Sequence, residues 1–425
     1  MNTLRAMVAA ASTLVGCVSV YGQMQFEYEQ LPIDYHAQPA DTAITAMQSS
    51  IDEGELDLAF KPPAGYLESI LEQLDISTTT QALVFSRTSL QLNRISPHNP
   101  RAMYFNDTNY VGWARGGDIE IISVDPKIGA VFYKLENRQV EKPKFERDRG
   151  NCLNCHGTRR TDNVPGPVVR SVFVDGAGRP HFTAGTFDTD HSSPFRQRWG
   201  GYYVTGSHGS LRHMGNVISP GPFRPKDFDY ELGANRTDLA ELVDTQGYPT
   251  SHSDIVALMV LEHQSKAQNL ITKAHYDEWS DVHRDKALNK ALQRPADYRG
   301  DVTKRRLARN GERLVRYLLF ADEFKLTAKV AGTSGFQKKF SKLGPHDAKG
   351  RSLRELELTT RLFRYPCSYM IYSPAYRRLP EMTSKFVKTR LEEILSAPKP
   401  VVGYGHLSEE NRRAILEILT ETGAL

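Results

Sequence analysis

The chain has 425 residues, 40% of them hydrophobic and 24% charged, with a formal net charge of +4. That length holds two or three domains with an ordinary packed core, and the composition excludes wholesale disorder. So small a charge for the length gives no reason to expect a nucleic-acid partner, although local basic patches can still steer an acidic one.

Residues 1–22 read as a secretory signal peptide. Met1 to Arg5 carries positive charge, and the apolar run Ala6 to Gly16 is too short to span a bilayer. Two cleavage readings compete. Leu14-Val15-Gly16-Cys17 matches a bacterial lipobox and would make Cys17 a lipidated first residue, whereas Val20-Tyr21-Gly22 before Gln23 suits ordinary signal peptidase. The lipobox reading is preferred, because a Cys at that place is a more specific signal than small residues alone. In either case the mature chain is periplasmic or otherwise extracytoplasmic. No later segment is a transmembrane candidate, so contact with a membrane would come only through a lipid anchor.

The remaining chain reads as an α+β protein: a helical lead-in over 23–80, a β-rich region over 81–250, and a helical C-terminal region over 251–425. In the lead-in, Asp41 to Glu53 and Tyr66 to Leu74 carry helical patterns, the second preceded by Pro62-Pro63-Ala64-Gly65. From Gln81 the runs 82–85, 119–122 and 130–133 are rich in β-formers and split by Gly, Pro, Asn and Asp. Asp175-Gly176-Ala177-Gly178 predicts a hairpin turn between strands at 168–174 and 181–184, and Trp199 to Thr205 predicts one more strand. Beyond Thr250 a long helix is expected from a Ser251 or Ser253 cap to His275. Further helices are expected at 303–330, 352–364, 380–396 and 408–422, with 332–350 an exposed loop. No repeat or low-complexity tract points to a solenoid or propeller.

Within the β-rich region, Cys152-Leu153-Asn154-Cys155-His156 has the spacing C-x-x-C-H. Two thiols three positions apart can form thioethers with the two vinyl groups of a haem, and the adjacent imidazole then reaches the iron from one face. Other chemistries fit less well. A structural zinc site needs a second Cys or His pair at knuckle spacing, and none exists. A thioredoxin-like dithiol belongs at a helix start after a βαβ strand, whereas this motif follows the charged stretch Glu141 to Arg149. A disulfide between Cys152 and Cys155 would leave His156 without a role. The chain has four Cys. With Cys17 lipidated or removed, Cys367 is left alone amid aromatics, where a buried inert thiol is favoured over a redox thiol or an iron ligand.

C-x-x-C-H is the attachment signature of c-type cytochromes. The runs 96–102, 106–113, 199–202, 212–216, 253–264 and 364–373 resemble a largely uncharacterised bacterial family of cytochrome c domain-containing proteins. The resemblance spans nearly the whole mature chain, and it implies one covalent haem c at Cys152 and Cys155 with His156 as proximal iron ligand. It supplies no reaction. The strand pattern around the motif is also similar in arrangement to haem-binding PAS-like sensor domains.

The sixth iron ligand is open. His213 and Met214, in a Gly-flanked loop, rank first. His263 ranks second, on the helical stripe Val256, Met259, Val260, His263, Ala267, Leu270 and Ile271; His98 is a distant third. Arg159, Arg160, Arg170, Arg212, Trp199 and the Tyr202/Tyr203 pair are candidates to line the pocket, where guanidinium groups suit haem propionates. Asp190-His191 is a candidate acid–base pair. The leading functional expectation is periplasmic electron transfer by a monohaem cytochrome, with a redox partner protein in the periplasm or at the membrane. The alternatives are a haem c enzyme, such as a peroxidase-like oxidoreductase, and a haem-based redox or gas sensor.

Overall fold

The computed structural model describes residues 26–425 apart from 220 and 222. The segment expected to direct export, including Cys17 and both cleavage readings, lies outside the described residues. Helix α1 (Ala43–Glu53) begins where the Thr42 hydroxyl accepts the Thr45 N–H and stops at Gly54, whose φ of 78° suits a residue without a Cβ. Its buried Ile44, Met47 and Ile51 share one face, and α2 (Leu67–Gln73) follows.

Strands β1 (Ala82–Val84), β2 (Arg101–Phe105), β3 (Asn109–Trp113), β4 (Ile119–Asp125), β5 (Gly129–Leu135) and β6 (Phe145–Arg147) form an antiparallel meander. Helix α3 (Leu153–His156), a single turn, comes next. Strands β7 (Arg170–Val172) and β8 (Thr186–Asp188) make a separate two-stranded sheet. Strand β9 (Tyr202–Tyr203) returns to pair with β1, giving the order β6-β5-β4-β3-β2-β1-β9. The α+β character follows directly, with all strand pairs antiparallel.

Alternation divides the sheet into two faces. Leu83, Ala102, Tyr104, Val111, Trp113, Ile121 and Tyr133 point into a core shared with α1 and α2. The opposite face carries Ala82, Val84, Met103, Phe105, Tyr110, Ile122, Val124 and Tyr202, which join the core of the C-terminal helices. Helix α4 (Ile255–Ala291) crosses that face at one end. Its Gln264 amide donates to Asn106 O and to Tyr110 Oη, and its Tyr276 hydroxyl donates to Ile128 O. The cap of α4 is Asp254, not Ser251 or Ser253. One Asp254 oxygen accepts the N–H groups of Val256 and Ala257, and the other accepts those of Thr333 and Ser334.

Helices α5 (Asp301–Leu318), α6 (Phe336–Phe340), α7 (Pro374–Arg377), α8 (Glu381–Ser396) and α9 (Glu409–Glu421) complete the fold. α4 packs on α5, α5 on α8 and α8 on α9. Several elements differ from expectation for local reasons. The expected helix over 352–364 is irregular chain: the Glu357 carboxylate accepts the N–H groups of Thr359, Thr360 and Arg361, and Leu358 sits at φ 61°. Side-chain capture of backbone donors there replaces a helix with a turn. The helix expected over 303–330 stops at Leu318, with Phe320 at φ 57°. The expected hairpin partner at 181–184 forms a tight turn instead, so the pairing strand starts at Thr186. Within the expected exposed loop, α6 buries Phe336 and Phe340. Among the described residues no helix is long and apolar enough to cross a membrane.

Candidate functional site

The C-x-x-C-H motif forms one helical turn just after edge strand β6. Asp148 builds that turn: its carboxylate accepts the N–H groups of Gly150 and Cys152 and the Asn151 amide. Burial opposes the charge, but these donors prevail and hold the carboxyl below its ordinary value. The turn closes with His156 N–H donating to Cys152 O at 2.9 Å. Cys152 is half-buried, and burial with the neighbouring Asp148 charge pushes its thiol up to about 12. Cys155 is exposed, and neither thiol is in a disulfide.

His156 is fixed by the loop that follows. Its Nδ1 lies 2.9 Å from Gly166 O, and Gly166 N–H donates back to His156 O at 2.9 Å. A carbonyl can only accept, so Nδ1 carries the proton and Nε2 presents its lone pair. Burial keeps the ring's pKa below the ordinary value, so it is neutral. The loop is in turn tied to α4. Asn269 Nδ2 donates to Pro167 O at 2.8 Å, and Asp162 pairs with Lys266 (2.8 Å) and with Arg313 of α5.

The imidazole faces the sheet, its ring 5.2 Å from that of Phe132. Phe132 is opposite Ile122, Ile122 opposite Tyr110, and Tyr110 opposite Phe105, so all four share one face with Met103 and Arg101. α4 covers one end of this face, where Ala82, Phe105, Tyr110 and Val124 are buried. At the other end Arg101, Met103, Glu120 and Ile122 stay partly exposed. Arg101 pairs with Glu120 at 3.1 Å and reaches Met103 Sδ with its other terminal nitrogen at 3.6 Å. Its Nε is buried without a partner. The result is a half-open patch with Met and Ile at its floor, a charged pair within it and the His156 turn at its edge.

The other sequence candidates are distributed around the molecule. Arg160 pairs with Asp188 at 2.7 Å, and Arg170 donates to Thr186 and stacks on Phe182; Arg159 is exposed. Tyr202 lies on the open face, near enough to Arg101 for its charge to act on the phenol, whereas Tyr203 lies on the opposite face and donates to Pro97 O. Trp199 is fully buried, and Arg212 forms a surface pair with Glu231. Asp190 does not pair with His191: its carboxylate caps Ser192, while His191 Nδ1 meets His263 Nδ1 at 2.8 Å. Cys367 is fully buried, and burial pushes its thiol up to about 12.

The candidates for the sixth ligand are committed elsewhere. His263 spends Nδ1 on His191 and Nε2 on the Ser368 hydroxyl at 2.7 Å, leaving no lone pair for a metal. His213 Nδ1 accepts the Gly215 N–H at 3.0 Å, which puts its proton on Nε2. Met214 is 1% exposed, accepts from Ser171 and packs with Phe173, Val217 and Phe228. His98 is exposed in a loop, and its carbonyl accepts from Arg115. Sequence reasoning passed over Met103, Arg101 and Glu120. The available signal was the alternation of 101–105, which points Arg101, Met103 and Phe105 to one face. Comparison of the chain with protein-family models, curated proteins and solved structures returned no match to any of them.

Proposed function

We propose that the protein is an exported monohaem c-type cytochrome that passes single electrons to a redox partner in the periplasm or at the membrane. One observation carries this reading. His156 Nδ1 donates to Gly166 O, which leaves the Nε2 lone pair free on the same helical turn as two unpaired thiols. Ligating histidines are ordinarily oriented in this way, by a carbonyl or carboxylate on the second nitrogen. The residues fit a haem in two further respects. A partly exposed apolar strip, Met103 and Ile122, adjoins the turn, and Arg101 offers an unpartnered buried N–H beside it.

Cys152 and Cys155 would hold the group covalently and His156 would bind its iron; the bound haem supplies the one-electron couple. The chain's own residues then set its surroundings. Asp148 holds the turn, Gly166 and Asn269 hold the imidazole, and the sheet face excludes water from one side. Lipidation at Cys17 would tether the protein to a membrane, and cleavage before Gln23 would release it. The enzyme reading has less support here, because Asp190 and His191 do not form an acid–base pair.

The test is export of the chain alongside a haem c maturation system, followed by a pyridine haemochrome spectrum and intact mass. One covalent haem per chain is expected, lost in Cys152→Ala and Cys155→Ala. A protein that never acquires covalent haem refutes the proposal. A ferric haem that is high-spin and turns over peroxide would replace electron transfer with catalysis.

A further inference from the structure

We infer that Met103 is the second axial ligand, facing His156 across the open end of the sheet; this rests on the haem c reading above. The first reason is placement. His156 lies against Phe132 on β5, and Met103 lies on β2, three strands away on the same face. Three strands at about 4.8 Å and an offset of two residues along the strands make that span roughly 16 Å, within reach of two long side chains with a metal between them. Between them lie Ile122 and the Arg101–Glu120 pair; the Arg101 side chain runs over Gly112, its Cδ 3.5 Å from where a Gly112 Cβ would stand.

The second reason is exclusion by chemistry. Haem iron in proteins is held by His, Met, Cys or Tyr. On this face those types are Met103, Tyr110 and Tyr202; Tyr110 is buried and accepts from Gln264, and Tyr202 is buried, its hydroxyl pushed further from ionisation by that burial. Met103 is partly exposed, and its sulfur meets only the Arg101 guanidinium at 3.6 Å. A thioether sulfur has two lone pairs, so that contact leaves one for a metal. The candidates on the helical side have no comparable freedom, since His263 has both nitrogens engaged and Met214 is sealed in a satellite core. The Arg101–Glu120 pair flanks the sulfur and fixes the direction of approach.

Spectra of the ferric and ferrous holoprotein test the assignment. The parent is expected to be low-spin in both states, to show the red charge-transfer band of a sulfur-ligated ferric haem, and to ignore carbon monoxide. Met103→Leu conserves volume and should keep the fold. It should lose that band, turn high-spin, bind carbon monoxide and show a lowered midpoint potential. Met103→His should restore a low-spin spectrum without the band, and Met214→Leu should leave the parent spectrum intact. An unaltered spectrum in Met103→Leu overturns the ligand assignment while leaving covalent haem standing. A parent without covalent haem in the haemochrome assay overturns both readings, and the two failures are distinguishable by that assay alone.

Discussion

Replacing Gly166 by Ala tests how the His156 turn is held. Gly166 is not at positive φ, so the substitution alone would stabilise the chain by about 0.4–1 kcal/mol, through the unfolded state. The tertiary structure reverses the sign. A Cβ built on Gly166 falls inside the van der Waals envelope of Asn269 Oδ1, and the Asn269 side chain must turn away. Its Nδ2 then leaves Pro167 O, a buried bond of 2.8 Å whose loss costs about 1–3 kcal/mol. Any residual overpacking adds about 1–3 kcal/mol. The net expectation is destabilisation of about 1–5 kcal/mol, read as a lowered urea midpoint at constant m-value. The loop movement should also loosen the Gly166–His156 bond and, under the proposed haem attachment, reduce covalent haem yield. In an Asn269→Ala background the clash is absent, so Gly166→Ala should be neutral or stabilising there. Equal losses in both backgrounds, or a stabilised single variant, would show that Asn269 does not hold the loop.

Three further outcomes follow from the buried groups. Burial pushes His191 down to about 3 and places His213 and His263 well below the ordinary value, so all three are neutral in the fold and take up protons on unfolding below about pH 6.5. Stability should therefore fall as pH drops from about 6.5 towards 4, by up to about 1.4 kcal/mol per pH unit for each such histidine. Glu262 and Glu323, raised to about 7 by burial, act in the opposite direction but are fewer; urea unfolding of His191→Gln across this range should give a shallower slope than the parent, and an identical slope would exclude the His191–His263 pair as its source. Arg198 and Glu262 form a buried pair at 3.1 Å, so Arg198→Met should cost about 3–5 kcal/mol at pH 8 and less at pH 6, where Glu262 takes a proton; thermal melts that lose the same amount at both pH values would refute the link. Cys367 should resist alkylation in the native protein and react once on denaturation, as thiol counting by mass will register; rapid native labelling would contradict its burial.

The sequence by itself determined the features written in short-range pattern. Thr42 before Ile44, Met47 and Ile51 specifies α1, and Pro380 and Ser408 mark the starts of α8 and α9, because caps and periodicity act within a few residues. The spacing of Cys152, Cys155 and His156 likewise places three side chains on one turn, whatever the rest of the chain does. Local chemistry misled where side chains competed for the backbone, as Glu357 does in the segment expected to be helical, and where the chain turned at Phe320 and at 182–184.

The tertiary structure alone decided what surrounds that turn. That His156 offers Nε2 depends on Gly166, ten residues on, and on Asn269, a further 103 residues away on α4. His263 sits on an apolar helical stripe as a buried ligand would, yet whether its nitrogens are free depends on His191 and Ser368, neither of which is near it in sequence. Met103 faces the same way as His156 only because four strands pair in a register that puts Phe132, Ile122, Tyr110 and Phe105 on one face. Ligand availability is set by which lone pairs long-range contacts leave unused, and a one-dimensional pattern does not record them.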